Sequence, residues 1–580
     1  MRTARGIVSG CARQQGAMAI AFGAVLLLGV LFAALVLDVG RWYMEDRRLQ
    51  KAVDTIAMQY AMHGGYCGGD SMGQTPSAGD VEAALVDQDL RNPVTVVNAA
   101  FGFMDRDDGV RQFVADGDQP EAFLLQARQE VPRSIVAAAL FPGTVTLEKT
   151  AVARRVPTAT FAVGSWLARI DSEEDRGLVN MLLEGLLGGE VDLDLVSYHG
   201  LAATRASLGD LLGAGETVIG AEAGTLDGLL GSTVNLGELG DLVVTALERD
   251  NRSTAAVDAL VVGIDAGAGE EPIRIGDILV ADQASENAAL DTELAVGDLL
   301  LNGIMLANGQ SAVDLDLSSS IDDLVDVQAQ LAIIEAPQMA LGPPGYLPDG
   351  TPKTEARTAQ LRLQLEVVLD PLGLGLAIPI QLAVEAASAS GIFEDLTCRT
   401  MTRQTMDAGF SMETSAATVA IGAFGDLENP DSGIDGGGTI VGDSGLIEVT
   451  LEGTVILGEG ETSRLDVIGV DRNEHLPQSF SVGGSALSSG LAESALSIEV
   501  EILQSSCGGG LLGSLTGSLC DLVNSLANTT TSALSSAILG LLDEVILALI
   551  EPLLELLGIN VAGADVELID LGDGRTELIL

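Results

Sequence analysis

The chain has 580 residues, of which 29 are Lys or Arg and 83 are Asp or Glu, so its formal net charge at pH 7 is −54. Proteins that bind nucleic acid need clustered Lys and Arg to neutralise phosphate, and this balance excludes nucleic acid as a partner. With 47% hydrophobic residues the chain is not disordered by composition. Its length is enough for about two to four domains.

An uncharged stretch near the N-terminus predicts a membrane span. Residues Ala17 to Leu37 contain no charged side chain. As a helix rising about 1.5 Å per residue they would be about 31 Å long, which matches a hydrocarbon core of about 30 Å. A secretory signal has an apolar region of only about 7–15 residues. The alternative, a buried core helix, is disfavoured because core helices of this length and purity are rare.

The helix is predicted to continue beyond the span. From Arg41 to His63 there is neither Gly nor Pro, and apolar residues recur at the spacing of one helical face. Gly64 and Gly65 then give a helix stop. The pattern therefore predicts one helix from Ala17 to His63, half in lipid and half outside.

The orientation of the span does not follow from the count of basic residues. Three arginines precede the span, and three arginines and one lysine follow it within 14 residues, which does not decide the direction. We expect residues 1–16 to form a cytoplasmic tail, because that tail is short and the large remainder must then lie outside.

The five cysteines favour the same orientation. Cys11 would lie inside, and four cysteines would lie outside, namely Cys67, Cys398, Cys507 and Cys520. Four cysteines in an oxidising compartment allow two disulfides in three connectivities. Cys507 and Cys520 are close in sequence and are the first candidates for a pair. The alternative is a set of free buried thiols.

Beyond the anchor helix, residues 17–63, four regions are predicted from patterning. They are a small mixed α/β unit at 64–156, an α+β region at 157–300, a β-rich region at 301–500, and Leu-rich helices with terminal strands at 501–580. In the second region "VDLDLVSY", residues 191–198, is predicted as a strand and "LAATRASLGDLLGA", residues 201–214, as one helix.

The Leu-rich segment 510–557 is predicted to be a soluble helical hairpin. A second membrane span at Ala533–Leu557 is disfavoured, because acids and a proline within it are costly in lipid.

Taken together, these patterns predict an α+β fold class, with one N-terminal transmembrane helix that extends outside, mixed α/β and β-rich domains, and a C-terminal helical hairpin.

The chain offers little catalytic chemistry. His63, His199 and His475 are its only histidines, and their wide separation argues against a His-ligated zinc site or a Ser-His-Asp site. Neither a GxxxxGK[ST] loop nor a GxGxxG loop in the right context is present. No catalytic residue, cofactor or small-molecule substrate is indicated, and we expect a non-enzymatic protein.

One spacing is compatible with a metal site. Asp316, Ser318 and Ser320 match DxSxS, the metal-adhesion pattern of von Willebrand A domains. The alternative is a turn at the edge of a strand. It is favoured because the preceding "SAVDLDL" alternates with acids instead of forming a buried strand, and because no further ligands are recognisable. These three residues are therefore weak metal candidates.

The opening segment of the chain resembles the N-terminal segment of TadG-like proteins of the Tad (Flp) pilus-assembly system. It reads "RQQGAMAIAFGAVLLLGVLFAALVLDVGRWYMEDRRLQKAVDTIAM". The matching features are R-Q-x-G-A at Arg13 to Ala17, the uncharged span, D-V-G-R at Asp38 to Arg41, and L-Q at Leu49 and Gln50. The rest of the chain resembles the uncharacterised periplasmic region that follows in many such proteins.

The resemblance implies a role and a location but no activity. It implies a bitopic inner-membrane protein, with its N-terminus cytoplasmic and its bulk periplasmic, that takes part in building or anchoring the pilus. The implied partners are the lipid bilayer and other pilus-assembly or envelope proteins. No catalytic residue comes with it.

Two other functions stay open. The first is a processed, pseudopilin-like minor pilus subunit, since related small proteins are cut after a Gly with a Glu five residues on. Here the fifth residue after Gly16 is Ala21, which cannot pair with a neighbour's new amino terminus. The second is a membrane-anchored metal-dependent adhesin or periplasmic enzyme, which would need the DxSxS residues to cluster with other acids around one cavity.

Overall fold

The protein divides into two compact units. Unit 1 comprises residues 1–156 and 575–580, and unit 2 comprises residues 157–574. The structure is a computed structural model that describes residues 12–64, 67, 74–88, 90–107, 110–116, 120–134, 142–164, 170, 172–189, 191–267, 272–281, 290–308, 313–316, 327–347, 349–369, 378–398, 405–414, 417–421, 438–441, 448–451, 453–457, 462–471, 476–483, 498–501, 550, 554–555, 557, 559, 563–574 and 576–579.

The predicted α+β class is confirmed, because both units combine helices with largely antiparallel sheets. The predicted boundaries at 300 and 500 stay predictions. The predicted helical hairpin at 510–557 lies almost wholly outside the described residues.

Unit 1 is built from one long helix, one short helix and one antiparallel sheet. Its elements are α1 (Ala12–His63), α2 (Ala78–Val86), β1 (Val94–Asp107), β2 (Val110–Ala115), β3 (Ala122–Pro132), β4 (Thr144–Arg155) and β27 (Thr576–Leu578). The strand order is β2-β1-β3-β4-β27, with every neighbouring pair antiparallel. The helix predicted from Ala17 to His63 is confirmed and starts five residues earlier.

The core of unit 1 lies between the second half of α1 and the sheet. Leu49, Val53 and Ile56 recur on one face of α1 and are fully buried against apolar residues of α2, β1, β3 and β4. The Phe123 ring lies at the centre, 5.1 Å from the ring of Tyr60 and 4.9 Å from that of Phe101. Burying large aromatic side chains contributes strongly to stability, so these contacts fix the helix on the sheet.

The helices of unit 2 fill its first half. They are α3 (Glu173–Leu187), α4 (Leu195–Ala203), α5 (Leu208–Val218), α6 (Leu226–Gly231), α7 (Leu236–Arg249), α8 (Ala255–Gly267) and α9 (Val296–Ala307), with 3-10 turns at Ala221–Gly224 and Ile275–Asp277. Five of them begin at a Ser, Asp, Thr or Asn whose side chain accepts the N–H of the third helical residue. Such caps satisfy N–H groups that have no partner within the helix.

The prediction of a strand at 191–198 is wrong. Its first four residues have no regular structure and α4 begins at Leu195. Asp194 accepts the N–H of Ser197 at 2.8 Å, and hydrogen bonds from Ser197 hold the pKa of Asp194 below its usual value. The Leu193 N–H donates to Asn180 Oδ1 of α3 at 3.3 Å. The Asn180 side chain thus accepts the backbone hydrogen bond that a neighbouring strand would accept in a sheet.

The prediction of one helix at 201–214 is also wrong. α4 ends at Ala203, and a short strand, β6 (Arg205–Ser207), separates it from α5. β6 pairs with β10 (Glu293–Ala295), and the Ser207 side chain caps α5. Backbone pairing with a strand about ninety residues later overrides the local helical pattern.

The remaining strands of unit 2 form several sheets. A five-stranded sheet has the order β24 (Gln478–Gly483), β26 (Gly563–Gly572), β5 (Thr158–Val163), β13 (Met339–Gly342), β9 (Leu279–Ala281). A six-stranded sheet has the order β11 (Val313–Asp316), β12 (Val327–Glu335), β15 (Gln360–Leu369), β16 (Ile378–Ala386), β19 (Ala417–Ile421), β22 (Gly453–Leu457). A four-stranded sheet has the order β14 (Glu355–Arg357), β17 (Ser390–Thr397), β18 (Met406–Glu413), β23 (Thr462–Val470). Smaller sheets are β20 (Gly438–Val441), β21 (Glu448–Leu451), β25 (Ile498–Glu501) and the pair β7 (Thr233–Val234), β8 (Ile273–Arg274).

The five-stranded sheet of unit 2 is covered on both faces. Ala162 of β5 and Met339 of β13 belong to the main core, which is filled mostly by helical side chains and by the six-stranded sheet. The next residue along β5, Phe161, points the other way, since successive side chains alternate across a strand. Its ring lies 5.0 Å from that of Phe410, which in turn lies 5.3 Å from that of Phe393 in the four-stranded sheet.

β26, which lies between β24 and β5 in this sheet, carries three buried acids. All ten of its residues are buried, including Asp565, Glu567 and Asp570. Each acid accepts a hydrogen bond, from the Ser481 hydroxyl to Asp565, from Arg205 Nη2 to Glu567 Oε1 at 3.1 Å, and from the Glu293 N–H to Asp570 at 2.9 Å. Buried charges are tolerated when they are paired and hydrogen-bonded, so this strand is tied to the helical half of unit 2.

We expect Glu567→Gln to destabilise unit 2 by about 3–5 kcal/mol, because the charge of Arg205 would remain buried without its partner. Urea unfolding of the full-length protein in detergent would measure the change. The control is Glu355→Gln, whose partner Arg357 has a side chain that is 48% exposed, and which we expect to cost less than about 1 kcal/mol. Equal costs for the two variants would contradict the structural role of the buried pair.

Candidate membrane anchor and its junction with unit 1

The first half of α1 exposes an apolar surface on every side. The stretch from Met18, which is 74% exposed, to Leu37, which is 63% exposed, has large apolar side chains all around the helix. Only 6% of the most apolar 18-residue stretch of the helix is buried. Among the described residues this is the one helix long and apolar enough to cross a membrane. Such a surface is stable in lipid and costly in water.

The span ends where the sheet of unit 1 begins to contact the helix. Asp38, the first charged residue after the span, is 8% exposed and accepts a hydrogen bond from the Ser134 hydroxyl. One turn later the Arg41 guanidinium donates to the carbonyl oxygen of Pro132 at the end of β3. Trp42 Nε1 lies 3.4 Å from the same oxygen. Three polar groups of α1 therefore bind one three-residue segment.

Further polar contacts continue along the helix. Asp46 forms an ion pair of 3.0 Å with Lys149 of β4. Gln50 Nε2 donates to the Thr150 carbonyl oxygen at 3.3 Å. Near the end of the helix, Arg155 Nη1 donates to the Met62 carbonyl oxygen at 2.6 Å. These contacts flank the apolar core and set the register of the helix on β4.

The outer side of α1 just beyond the span carries residues suited to the membrane surface. Tyr43 is 61% exposed, and the Arg47 guanidinium lies 5.7 Å from the centre of its ring. Aromatic and basic side chains are enriched at the level of lipid headgroups. Further along the helix, burial and then the charge of Asp80 raise the pKa of Tyr60.

The same segment is matched by a family of pilus-assembly proteins. Residues 16–55 match the family described as TadE/G-like in Flp pilus assembly. The N-terminal segment is TadE/G-like. This confirms the resemblance inferred from the sequence. In unit 2, residues 175–299 match a domain of unknown function, DUF8293. The chain matches no curated protein and no solved structure.

The structure explains why the TadE/G-like segment carries D-V-G-R after its span. Asp38 and Arg41, the charged ends of that motif, form hydrogen bonds with Ser134 and with the Pro132 carbonyl oxygen, respectively. Gly40 between them faces open space, since a Cβ added there would meet no heavy atom of another element within 4 Å. The charged residues of the motif therefore tie the helix to the sheet at the point where the helix leaves the span.

The cysteines predicted to lie outside divide into two groups. Cys67, shortly after α1, and Cys398, just after β17, are both buried and disulfide-bonded. Cys507 and Cys520, the first candidates for a pair, lie outside the described residues.

The weak metal candidates are only partly described. Asp316 is the last residue of β11, at the edge of the six-stranded sheet. Ser318 and Ser320 lie outside the described residues. Among the residues that the structure does describe, no three or more His, Cys, Asp or Glu side chains group closely enough to hold a metal ion.

The partners of the TadE/G-like segment carry no recognisable signal in the sequence. Ser134 and Pro132 lie about ninety residues after Asp38 and Arg41. The point at which a loop returns to a transmembrane helix depends on the register of the sheet, and local sequence patterns do not determine that register.

We expect Asp38→Asn to destabilise unit 1 by about 1.5–3 kcal/mol, because a charged, buried hydrogen bond to Ser134 would be weakened. Urea unfolding of the full-length protein in detergent would measure it. The control is Asp54→Asn on the same helix, whose bond to Gln50 is only part-buried and whose loss we expect to matter less. If Asp38→Asn and Asp54→Asn cost the same, the junction is not a specific contact.

Proposed function

We propose that the chain is a bitopic, non-enzymatic envelope protein of the Tad/Flp pilus system, retained in the inner membrane by α1. Its N-terminus lies in the cytoplasm and units 1 and 2 lie outside. It takes part in assembling or anchoring the pilus together with other envelope proteins. The match of residues 16–55 to a pilus-assembly domain carries the pilus role.

The continuity of α1 supports a retained anchor. One unbroken helix, Ala12–His63, leads from the exposed apolar half into the half that forms the core of unit 1. Cleavage after the span would expose a new terminus at Asp38 and Arg41, the residues that bind Ser134 and Pro132. A segment whose end is used in this way contributes to the fold, whereas a signal peptide is discarded before the mature protein folds.

The disulfides support an extracytoplasmic location for the bulk of the chain. Cys67 follows the anchor helix closely and Cys398 lies deep in unit 2, and both are disulfide-bonded. Disulfides persist in oxidising compartments and are rare in the cytosol. Both units therefore belong on the oxidising side of the membrane.

The use of the polar interior supports a non-enzymatic role. Glu567, Arg205 and Asp570, which are buried polar groups of unit 2, are engaged in tying β26 to the helical half. Burial of a carboxylate at a catalytic site would leave it facing a substrate cavity. Here the hydrogen-bond donors to Glu567 and Asp570 are Arg205 and the Glu293 N–H, which are part of the fold.

Protease treatment of intact spheroplasts tests the topology. With a tag at the C-terminus, we expect a full-length, membrane-bound chain whose tag is lost to external protease. A tag at the N-terminus serves as the control and should stay protected. A protected C-terminal tag would reverse the orientation, and a shortened soluble chain would show that the span is removed.

We expect Cys67 and Cys398 to resist alkylation in the denatured, unreduced protein and to react after reduction, because both are disulfide-bonded. Residue-resolved mass spectrometry of protein from the membrane fraction would show it. The control is the same sample reduced before denaturation. Alkylation of either cysteine without reductant would remove the support for an oxidising compartment.

The pilus role is tested by deleting the gene and counting surface pili. We expect the count to fall and to be restored by the wild-type protein. Restoration by a variant in which α1 residues before Asp38 are replaced by a cleavable signal would show that the span is dispensable. An unchanged pilus count in the deletion strain would overturn the assembly role.

A processed minor pilus subunit is the second candidate. The observation that favours it is the shape of unit 1, in which the exposed half of α1 projects as a stem from a helix packed on an antiparallel sheet. The intact mass of the membrane-bound protein separates the two functions. A chain that starts at Ala17 supports processing, and a chain that keeps residues 1–16 supports the retained anchor.

A further inference from the structure

Unit 2 is inserted between two neighbouring strands of unit 1. β4 ends at Arg155 and β27 begins at Thr576, and these two residues are paired directly across the antiparallel ladder. Paired residues in such a ladder have Cα atoms only about 4.5–5.5 Å apart. A turn of a few residues would join the same strands in an ordinary hairpin. The whole of unit 2 occupies the place of that turn.

The first and last strands of unit 2 are paired in the same way. Its first strand, β5, begins at Thr158, and its last strand, β26, ends at Gly572, and these two residues are also paired. The chain therefore enters and leaves unit 2 through adjacent antiparallel strands. Termini that lie side by side are what allow one domain to be inserted into another without disturbing either fold.

The two cores are built from separate sets of residues. In the part of the chain that the structure describes, every member of the unit 1 core lies between Leu49 and Ala153, and every member of the large unit 2 core lies between Ala162 and Ile569. A domain is a part of the chain that has its own hydrophobic core. By this criterion each unit has the apolar core that a separately folding domain requires.

The two units also differ sharply in charge. Unit 1 holds 16 Lys and Arg and 18 Asp and Glu, a net charge of −2, whereas unit 2 holds 13 and 65, a net charge of −52, which together give the −54 of the chain. Self-repulsion in unit 2 must therefore oppose its compact state, and salt screens such repulsion. Unit 1 lacks this dependence.

We propose that unit 2 is a separately folding module inserted into the β4–β27 hairpin of unit 1, which serves as its membrane-anchored carrier. The module is joined to unit 1 at both of its ends, through β4 and β27. Display on the outer side rests on the topology proposed above, but separate folding does not. Unit 1 is then the part that anchors, and unit 2 is the part that is presented.

Two matched core substitutions test the proposal in the full-length protein. Phe123 in unit 1 and Phe410 in unit 2 are both fully buried, and each lies about 5 Å from two other aromatic rings. Val156, at one crossing between the units, is also buried, so cutting the chain there is not a clean test. Hydrogen–deuterium exchange of the detergent-solubilised protein in increasing urea follows the peptides of each unit separately.

We expect Phe123→Ala to lower the urea midpoint of unit 1 peptides by about 1 M and to leave unit 2 peptides unchanged, and Phe410→Ala to do the converse. Phe123→Leu and Phe410→Leu are milder variants for the case in which an alanine variant does not fold. Raising NaCl from about 0.05 to 0.5 M should raise the midpoint of unit 2 and leave that of unit 1 nearly unchanged.

A single transition for both units, shifted equally by either substitution, would overturn the proposal, and so would equal responses to salt. Neither result depends on the topology, which the spheroplast experiment reports separately. A reversed topology combined with two independent transitions would leave the inserted module in place and remove only its display on the outer side.

Discussion

The structure of unit 1 depends on one constraint, which is that a single helix must satisfy two different solvents. The first half of α1 presents apolar side chains in every direction, as lipid requires. The second half confines them to one face, where Leu49, Val53 and Ile56 meet the sheet. A rigid helix cannot adjust one half without moving the other. The height of the sheet relative to the membrane is therefore fixed by the residue at which the pattern changes.

That residue is Asp38. It is the first charge after the span, and it is buried against Ser134 instead of being left to water. Arg41 and Trp42 approach Pro132 one turn later. Bonds of this kind at the end of a span prevent the helix from sliding into the bilayer, since sliding would bury Asp38 without its partner at a cost of several kcal/mol. The D-V-G-R motif is thus the stop that sets the depth of the anchor.

Closure of both units depends on strands far along the chain. β26 lies between β24 and β5 in the five-stranded sheet of unit 2, and β27 completes the edge of the sheet of unit 1. Non-local pairing of this kind forms slowly, because the cost of closing a long loop comes before any gain. The Arg205–Glu567 pair spans 362 residues. It ties β26 to β6, since separating the two strands would leave two charges buried and unpaired.

Local patterns in the sequence predict elements whose limits are set by nearby residues. They do not predict features that depend on contacts between residues far apart in the chain. The limits of α1 are predicted closely, because the apolar periodicity of its second half matches the face that is buried. The strand prediction at 191–198 fails because Asp194 is a helix cap and Asn180 binds the preceding backbone. The strands near the C-terminus are predicted, but the groups that bind their three buried acids lie far away in the sequence. At the junction, D-V-G-R is visible in the sequence, whereas its partners Ser134 and Pro132 are not.

The division of charge assigns different surroundings to the two units on electrostatic grounds alone. A body with a net charge of −52 is repelled by anionic headgroups and by other copies of itself within about 8 Å at physiological salt. A body with a net charge of −2 meets little repulsion from either. The unit that contains the membrane span is the nearly neutral one. Contacts with anionic lipid are therefore least opposed at unit 1, and the acidic composition of unit 2 suits exposure to water and mobile cations.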